Sequence, residues 1–175
     1  MYKLSRALEQ TADAITITDN KGVIEYINPA FELMTGFSAS EALGHDTNIV
    51  KSGRHDAQFY RQLWNTLQRG QSSSDVFINR KKSGELYYEE KTITPLKDAR
   101  DHITHYISTG KDITERMQTQ ERLHYLAYHD VLTELPNRAL FLEWLSRALS
   151  QDNKSVRRLA VICLDSNPFK VINDS

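Results

Sequence analysis

Side chains able to do chemistry collect at three places in the sequence. The segment LAVICLDSNPFKVINDS, residues 159–175, sets Asp165, Asn167, Lys170, Asn173 and Asp174 directly behind an apolar run. Their types alone do not say whether they act. A second group, Glu85, Glu89 and Glu90, suggests an acid/base pair, but it falls on an alternating strand with no cleft in view. Surface charges are the expectation there. The histidines are the third group, and their spacing argues against a shared metal. His102 and His105 lie three apart on a strand and point to opposite faces. His124 and His129 lie five apart on a helix. His55 could be pictured as an axial haem ligand, with helix capping or packing as the simpler reading. Arg80, Lys81 and Lys82 flank a turn and read as a solvated hairpin tip. No nucleophile elbow, P-loop or paired-cysteine motif occurs.

Composition narrows the partners. Across 175 residues, 22 Lys and Arg nearly balance 23 Asp and Glu, so no strong field draws the protein to nucleic acid or anionic lipid. The single cysteine, Cys163, forms no internal disulfide and no cysteine metal cage. A reducing, cytoplasmic setting is expected. No apolar stretch reaches the roughly 18 residues that cross a bilayer, so no membrane is expected for this chain.

The elements that must position these residues follow from periodicity. Leu4, Ala7 and Leu8 suggest a lead-in helix over residues 4–10. AITITD, NKG and VIEYIN read as strand, turn and strand. Residues 28–50 look like several short helices punctuated by Gly36 and Gly44. RHDAQFYRQLWNTLQRG is a clear amphipathic helix, stopped at Gly70. Strands are expected at 76–80, 85–96 and 103–109, the last with Thr104, Tyr106 and Ser108 on one face. The order β-β, helices, β-β-β implies an α+β fold, an antiparallel sheet with helices against one face. Beyond it, Asp112 and Glu115 can make a reciprocal cap on a connecting helix from Thr114 to Tyr128. That helix carries a ragged apolar stripe able to pair with a copy of itself. Asn137 can cap a further helix with Phe141, Trp144 and Leu149 on a buried side. RRLAVICLD reads as a buried strand.

Residues 13–114 resemble a PAS sensor domain through ITDNKGVIEYINPAFELMTGFS, SGRHDAQFYRQLW, NRKKSGELYYEEKTITPLKD and the closing Asp112 to Arg116. The resemblance implies the PAS fold, a five-stranded antiparallel sheet with helices on one face. It implies a cavity between sheet and helices, with Asn79, Trp64, Phe31 and Tyr106 as candidate cofactor-binding residues, beside Ile15, Met34 and Phe77. It also implies that Asp112, Thr114 and Arg116 relay the signal where sheet meets helix, Asp112 and Arg116 as a salt bridge. The cofactor stays unknown: FAD, haem, a small metabolite or no ligand. A ligand-free or loosely filled cavity is the default expectation, because GQSSSDVFIN has serines where flavin-binding members commonly carry a tryptophan.

From His129 onward the chain resembles the opening of a GGDEF-type diguanylate cyclase, through HDVLTELPNRALF and LDSNPFKVIND. By that resemblance Asp165, with the carbonyl of Ser166, would ligate Mg²⁺, and Asn173 would contact guanine. Asn167 replaces the usual second aspartate, Pro168 removes a backbone N–H, and Glu134 replaces a glycine. The sequence also stops before the strands beyond, so these implied sites are not expected to function and no turnover is expected of this chain.

The combined reading is a lead-in helix at 1–12, a PAS domain at 13–113, a signalling helix at 114–130 and a partial α/β GGDEF segment at 131–175. One helix and one strand cannot close a core, so Phe141, Trp144 and Ile162 should seek cover. The expected role is to regulate a diguanylate cyclase output by rearranging a homodimer through the PAS domain and linker helix. Alternatives are a parent that makes cyclic di-GMP, and a ligand-free dimerisation module.

Overall fold

The computed structural model describes Arg6, residues 8–150 and residues 160–162. It forms two compact units, Met1–Gln120 and Glu121–Ser175.

In the first unit the chain runs β1 (Ala14–Asp19), β2 (Ile24–Ile27), α1 (Pro29–Thr35), α2 (Ala39–Ala42), a 3-10 turn (Thr47–Val50) and α3 (Ala57–Gln68). It continues through β3 (Ser73–Arg80), β4 (Leu86–Lys97) and β5 (Ile103–Asp112) into α4 (Thr114–Tyr128). All five strands form one antiparallel sheet in the order β2-β1-β5-β4-β3. This is the α+β sheet that the strand order implies. Of the lead-in helix, Arg6, Leu8 and Glu9 are helical, while Leu4 and Ala7 lie outside the described residues.

Local chemistry sets the element ends. Asp19 closes the β1–β2 hairpin by accepting the Lys21 and Val23 amides at 2.8 and 2.9 Å, and the Val23 bond leads in lowering its pKa. Asn28 caps α1, with Pro29 at the first helical position and Gly36 at φ 77° ending it. The same buried Asn28 accepts the Ile15 amide at 2.8 Å and donates to the Asp13 carbonyl at 2.9 Å, tying helix to sheet. Asp56 caps α3 through the Phe59 amide at 2.8 Å. Pro95 is tolerated in β4 because β3 pairs only as far as Ser73 with Ile93, leaving β4 an edge beyond.

Two strands are longer than their residues suggest. β3 begins at Ser73, not Val76, and β5 runs past Thr109 to Asp112. Serine, aspartate and glycine are weak strand formers, but pairing with Lys91 to Ile93 and with Ala14 holds them extended. The core has two clusters. One packs Ala14, Ile24, Ile27, Phe31, Ala42 and Val50, and the other packs Leu63, Leu67, Phe77 and Tyr106.

In the second unit, Asp130 organises a turn by accepting from the Thr133 amide and hydroxyl at 2.9 and 2.8 Å. Asn137 caps α5 (Arg138–Ser150) through the Ala139 amide at 2.9 Å. The expected buried side of α5 is open: Phe141, Trp144 and Leu149 are all exposed, and no residue of α5 is buried. Ala160 to Ile162, where a buried strand was expected, are exposed and have no regular structure. No helix among the described residues is long and apolar enough to cross a membrane.

Candidate functional site

The first unit encloses a cavity of about 270 Å³ between α3, the 3-10 turn and the sheet. Helix α3 contributes Tyr60, Leu63 and Trp64; the sheet contributes Phe77, Asn79, Lys91, Tyr106 and Ser108; the turn region adds Asp46, Asn48 and Lys51. The Trp64 and Tyr106 rings meet edge to face, centroids 5.6 Å apart. Burial raises the hydroxyl pKa values of Tyr60 and Tyr106.

Of the residues expected in the lining, Asn79, Trp64 and Tyr106 are brought together, with Phe77 beside them. Phe31 is elsewhere. Its ring is packed in the first core cluster against α1's own neighbours, as are Met34 and the strand residues around them. Ile15 is buried but is likewise not part of the cavity wall.

Polar groups at this wall form a chain. Asn79 Nδ2 donates to Glu89 Oε2 at 2.7 Å. Glu89 Oε1 lies 3.2 Å from Lys91 Nζ. Glu89 is only 1% exposed, so the expectation of a surface carboxylate at this position is overturned. The strand explains why: Tyr87, Glu89, Lys91 and Ile93 share the face turned towards the helices, and Glu90 takes the exposed one. A buried carboxylate is tolerable when paired and hydrogen-bonded, and Lys91 and Asn79 supply both. Asn79 Oδ1 accepts no hydrogen bond among the described residues. Behind Glu89 the Tyr87 hydroxyl is fully buried beside Asn79 and Glu89, with no well-formed hydrogen bond among the described residues. Burial first, then the neighbouring Glu89 charge, raises its pKa.

Glu89 also touches the strand that leads out of the unit. It pairs in register with Asp112. A Cβ at Gly110 would overlap Glu89 Oε1 and sit 2.8 Å from its Cδ, so glycine is needed for the carboxylate to lie there. Two residues further the sheet hands over to α4. The Ile113 amide donates to the Tyr88 carbonyl at 2.9 Å, the Tyr88 amide donates to Thr114 Oγ1 at 2.9 Å, and Asp112 accepts the Thr114 amide at 2.8 Å. Asp112 is thus a cap here. The expected salt bridge to Arg116 is not formed: Arg116 reaches Glu90 instead, at 4.0 Å.

Haem does not fit this site. His55 Nε2 accepts the Ile78 amide at 2.8 Å, and its ring stacks on Phe59 at 4.0 Å, so the ligating lone pair is already used. A flat ring carrying an N–H would suit Asn79 Oδ1, but the volume falls below the roughly 300–1,000 Å³ of ligand pockets and does not take a whole FAD. Among the described residues no group of three His, Cys, Asp or Glu could hold a metal ion. Asp165, Ser166 and Asn173 lie outside the described residues.

Sequence reasoning missed Lys91 and Lys51 and took Glu89 for a surface charge. The available signal was parity: a carboxylate and a lysine two apart on the same strand face as Tyr87 and Ile93.

Comparison with known proteins agrees with this geometry. The family model "PAS fold" matches residues 2–113, and "Diguanylate cyclase, GGDEF domain" matches residues 127–175. The "Nitrogen fixation regulatory protein" of Klebsiella oxytoca is 28% identical over 158 residues, 89% of this chain and 32% of its own length. The "Probable diguanylate cyclase DgcE" of Escherichia coli is 29% identical over 176 residues, 99% of this chain and 16% of its own length. The chain therefore spans about a third or less of these relatives. An RNA-binding light-oxygen-voltage receptor superposes with TM-score 0.64 at 28% identity, over 72% of this chain and 36% of that one. The PAS domain of a Colwellia psychrerythraea protein gives 0.61 at 21% identity, over 66% and 98%. The chain belongs to the PAS fold family, and its PAS domain is followed by a segment of a diguanylate cyclase GGDEF domain, the makeup of a PAS-regulated signalling module.

Proposed function

We propose that the cavity is the sensing site of this module and that its state is relayed to α4 through Glu89. The observation that carries the reading is the run of contacts from the cavity wall to the helix. Asn79 and Lys91 hold Glu89, Glu89 lies over Gly110, and two residues on Asp112 and Thr114 start α4. A ligand that re-pairs Lys91 or Asn79 interacts differently with the two states of this path, which is what a population shift requires. Two such helices in a homodimer would then reset the spacing of the GGDEF domains, and Leu123 and Leu126 are exposed on α4 for that pairing. Making cyclic di-GMP would belong to the protein that carries a complete GGDEF domain, where Mg²⁺ supplies charge neutralisation for phosphoryl transfer.

The test is cyclic di-GMP production by a protein joining this chain to a complete GGDEF domain. Glu89→Gln should change the rate while leaving the dimer intact, and a rate equal to wild type would refute the relay.

A further inference from the structure

We infer that the cavity binds a small aromatic carboxylate, with Lys51 and Lys91 meeting the anionic group. This inference rests on the reading of the cavity as the sensing site. Both lysines line the cavity. They belong to one end of it, because Lys51 pairs with Asn79 through a backbone bridge and Asn79 and Lys91 both hold Glu89.

Charge selects the ligand's sign. Lys91 is matched by Glu89, whereas Lys51 has no carboxylate partner among the described residues and rests over the Tyr60 ring, 4.1 Å from its centroid. The carboxylate in the lining, Asp46, keeps its charge but lies elsewhere on the wall: it bridges Val23 beside β2, with Oδ2 near Gly22, whereas Asn79 and Lys91 stand on β3 and β4 across the sheet. A cation entering at this end meets two ammonium groups, of which Glu89 offsets only that of Lys91. A neutral apolar molecule leaves the Lys51 ammonium without a counter-charge. An anion gains a charge-assisted bond to the exposed Lys51 ammonium and to Lys91, whose side chain is 12% exposed.

Shape selects the rest. The remaining walls are the rings of Tyr60, Trp64, Phe77 and Tyr106, and about 270 Å³ suits a single ring with one substituent. A carboxylate competing for Lys91 also loosens its hold on Glu89, which connects binding to the path towards α4.

Calorimetric titration of the 175-residue chain with sodium benzoate and with neutral benzamide tests this. Benzoate should bind about tenfold tighter or better, a difference of about 1.4 kcal/mol. Lys51→Met should bring benzoate and benzamide to equal affinity, removing that preference. Lys91→Met strands Glu89, so the paired variant Glu89→Gln/Lys91→Met is used, and it too should lose the preference. Equal binding of the two probes, no benzoate binding, or full preference in Lys51→Met overturns the ligand class. Those results leave the relay standing if Glu89→Gln still alters cyclic di-GMP output, so the two failures are distinguishable.

Discussion

Lys91→Met isolates the interaction at the centre of the cavity wall. The side chain of Glu89 is 2% exposed and that of Lys91 12%, and their charged atoms approach to 3.2 Å. Removing the ammonium leaves a buried carboxylate with the Asn79 amide as its remaining hydrogen-bond donor. Breaking a buried pair from one side costs about 3–5 kcal/mol. The lower end applies here, because Lys91 lines the cavity and the Asn79 amide still holds Glu89. With a urea slope of about 1.5 kcal/mol per M, the midpoint should fall by about 2 M. Methionine replaces the aliphatic stem of lysine, so lost packing adds little. Adding Glu89→Gln removes the stranded charge, and the double variant should return to within about 1 kcal/mol of wild type. Urea unfolding of the four proteins, followed by far-UV circular dichroism, closes the cycle. A loss below about 1 kcal/mol in Lys91→Met, or a double variant as unstable as the single one, would refute the pairing.

Three further outcomes follow from the same geometry. Gly110→Ala should lower stability by about 1–3 kcal/mol, because the new methyl group overlaps a carboxylate held by two partners; thermal unfolding reads it, and an unchanged midpoint would remove Glu89 from its place over β5. His55→Phe keeps the stacking on Phe59 but orphans the Ile78 amide, costing about 1–3 kcal/mol, and haem titration should give the same spectrum for wild type and variant. Glu41 is held down to about 2, first by Lys82 and then by the Ser38 amide and hydroxyl. A lowered carboxyl contributes stability above its ordinary value of 4.5 and loses it as pH falls from there towards 2. Carboxyl NMR titration of Lys82→Met should show the Glu41 value rising, and no movement would contradict the assignment.

Much of the frame was legible in the sequence because periodicity and turn chemistry are local. Alternation in β5 put Tyr106 and Ser108 on one face, Gly70 stopped α3, and Thr114 and Tyr128 bounded α4, all as the structure has them. The cavity wall was half legible. Trp64 and Tyr106 are large rings on inward faces, but Phe31 sits on a short helix whose rotation only the packed core fixes. Glu89 was misread because its burial depends on Asn79 ten residues away and on Gly110 in the next strand. Pairing at such separations leaves no periodic trace. Arg116 was misassigned for a related reason: Asp112 satisfies the Thr114 amide, and the guanidinium turns to the exposed Glu90.

Amide hydrogen exchange on the wild-type chain and Glu89→Gln tests the relay most directly. The Ile113 amide bonds to Tyr88 and the Tyr88 amide to Thr114, so together they report the joint between sheet and α4. Both should exchange severalfold faster in the variant, while the Ile15 amide, held by Asn28, keeps its wild-type rate. Unchanged exchange at Ile113 and Tyr88, or an equal acceleration at Ile15, would contradict a path from cavity to helix through Glu89.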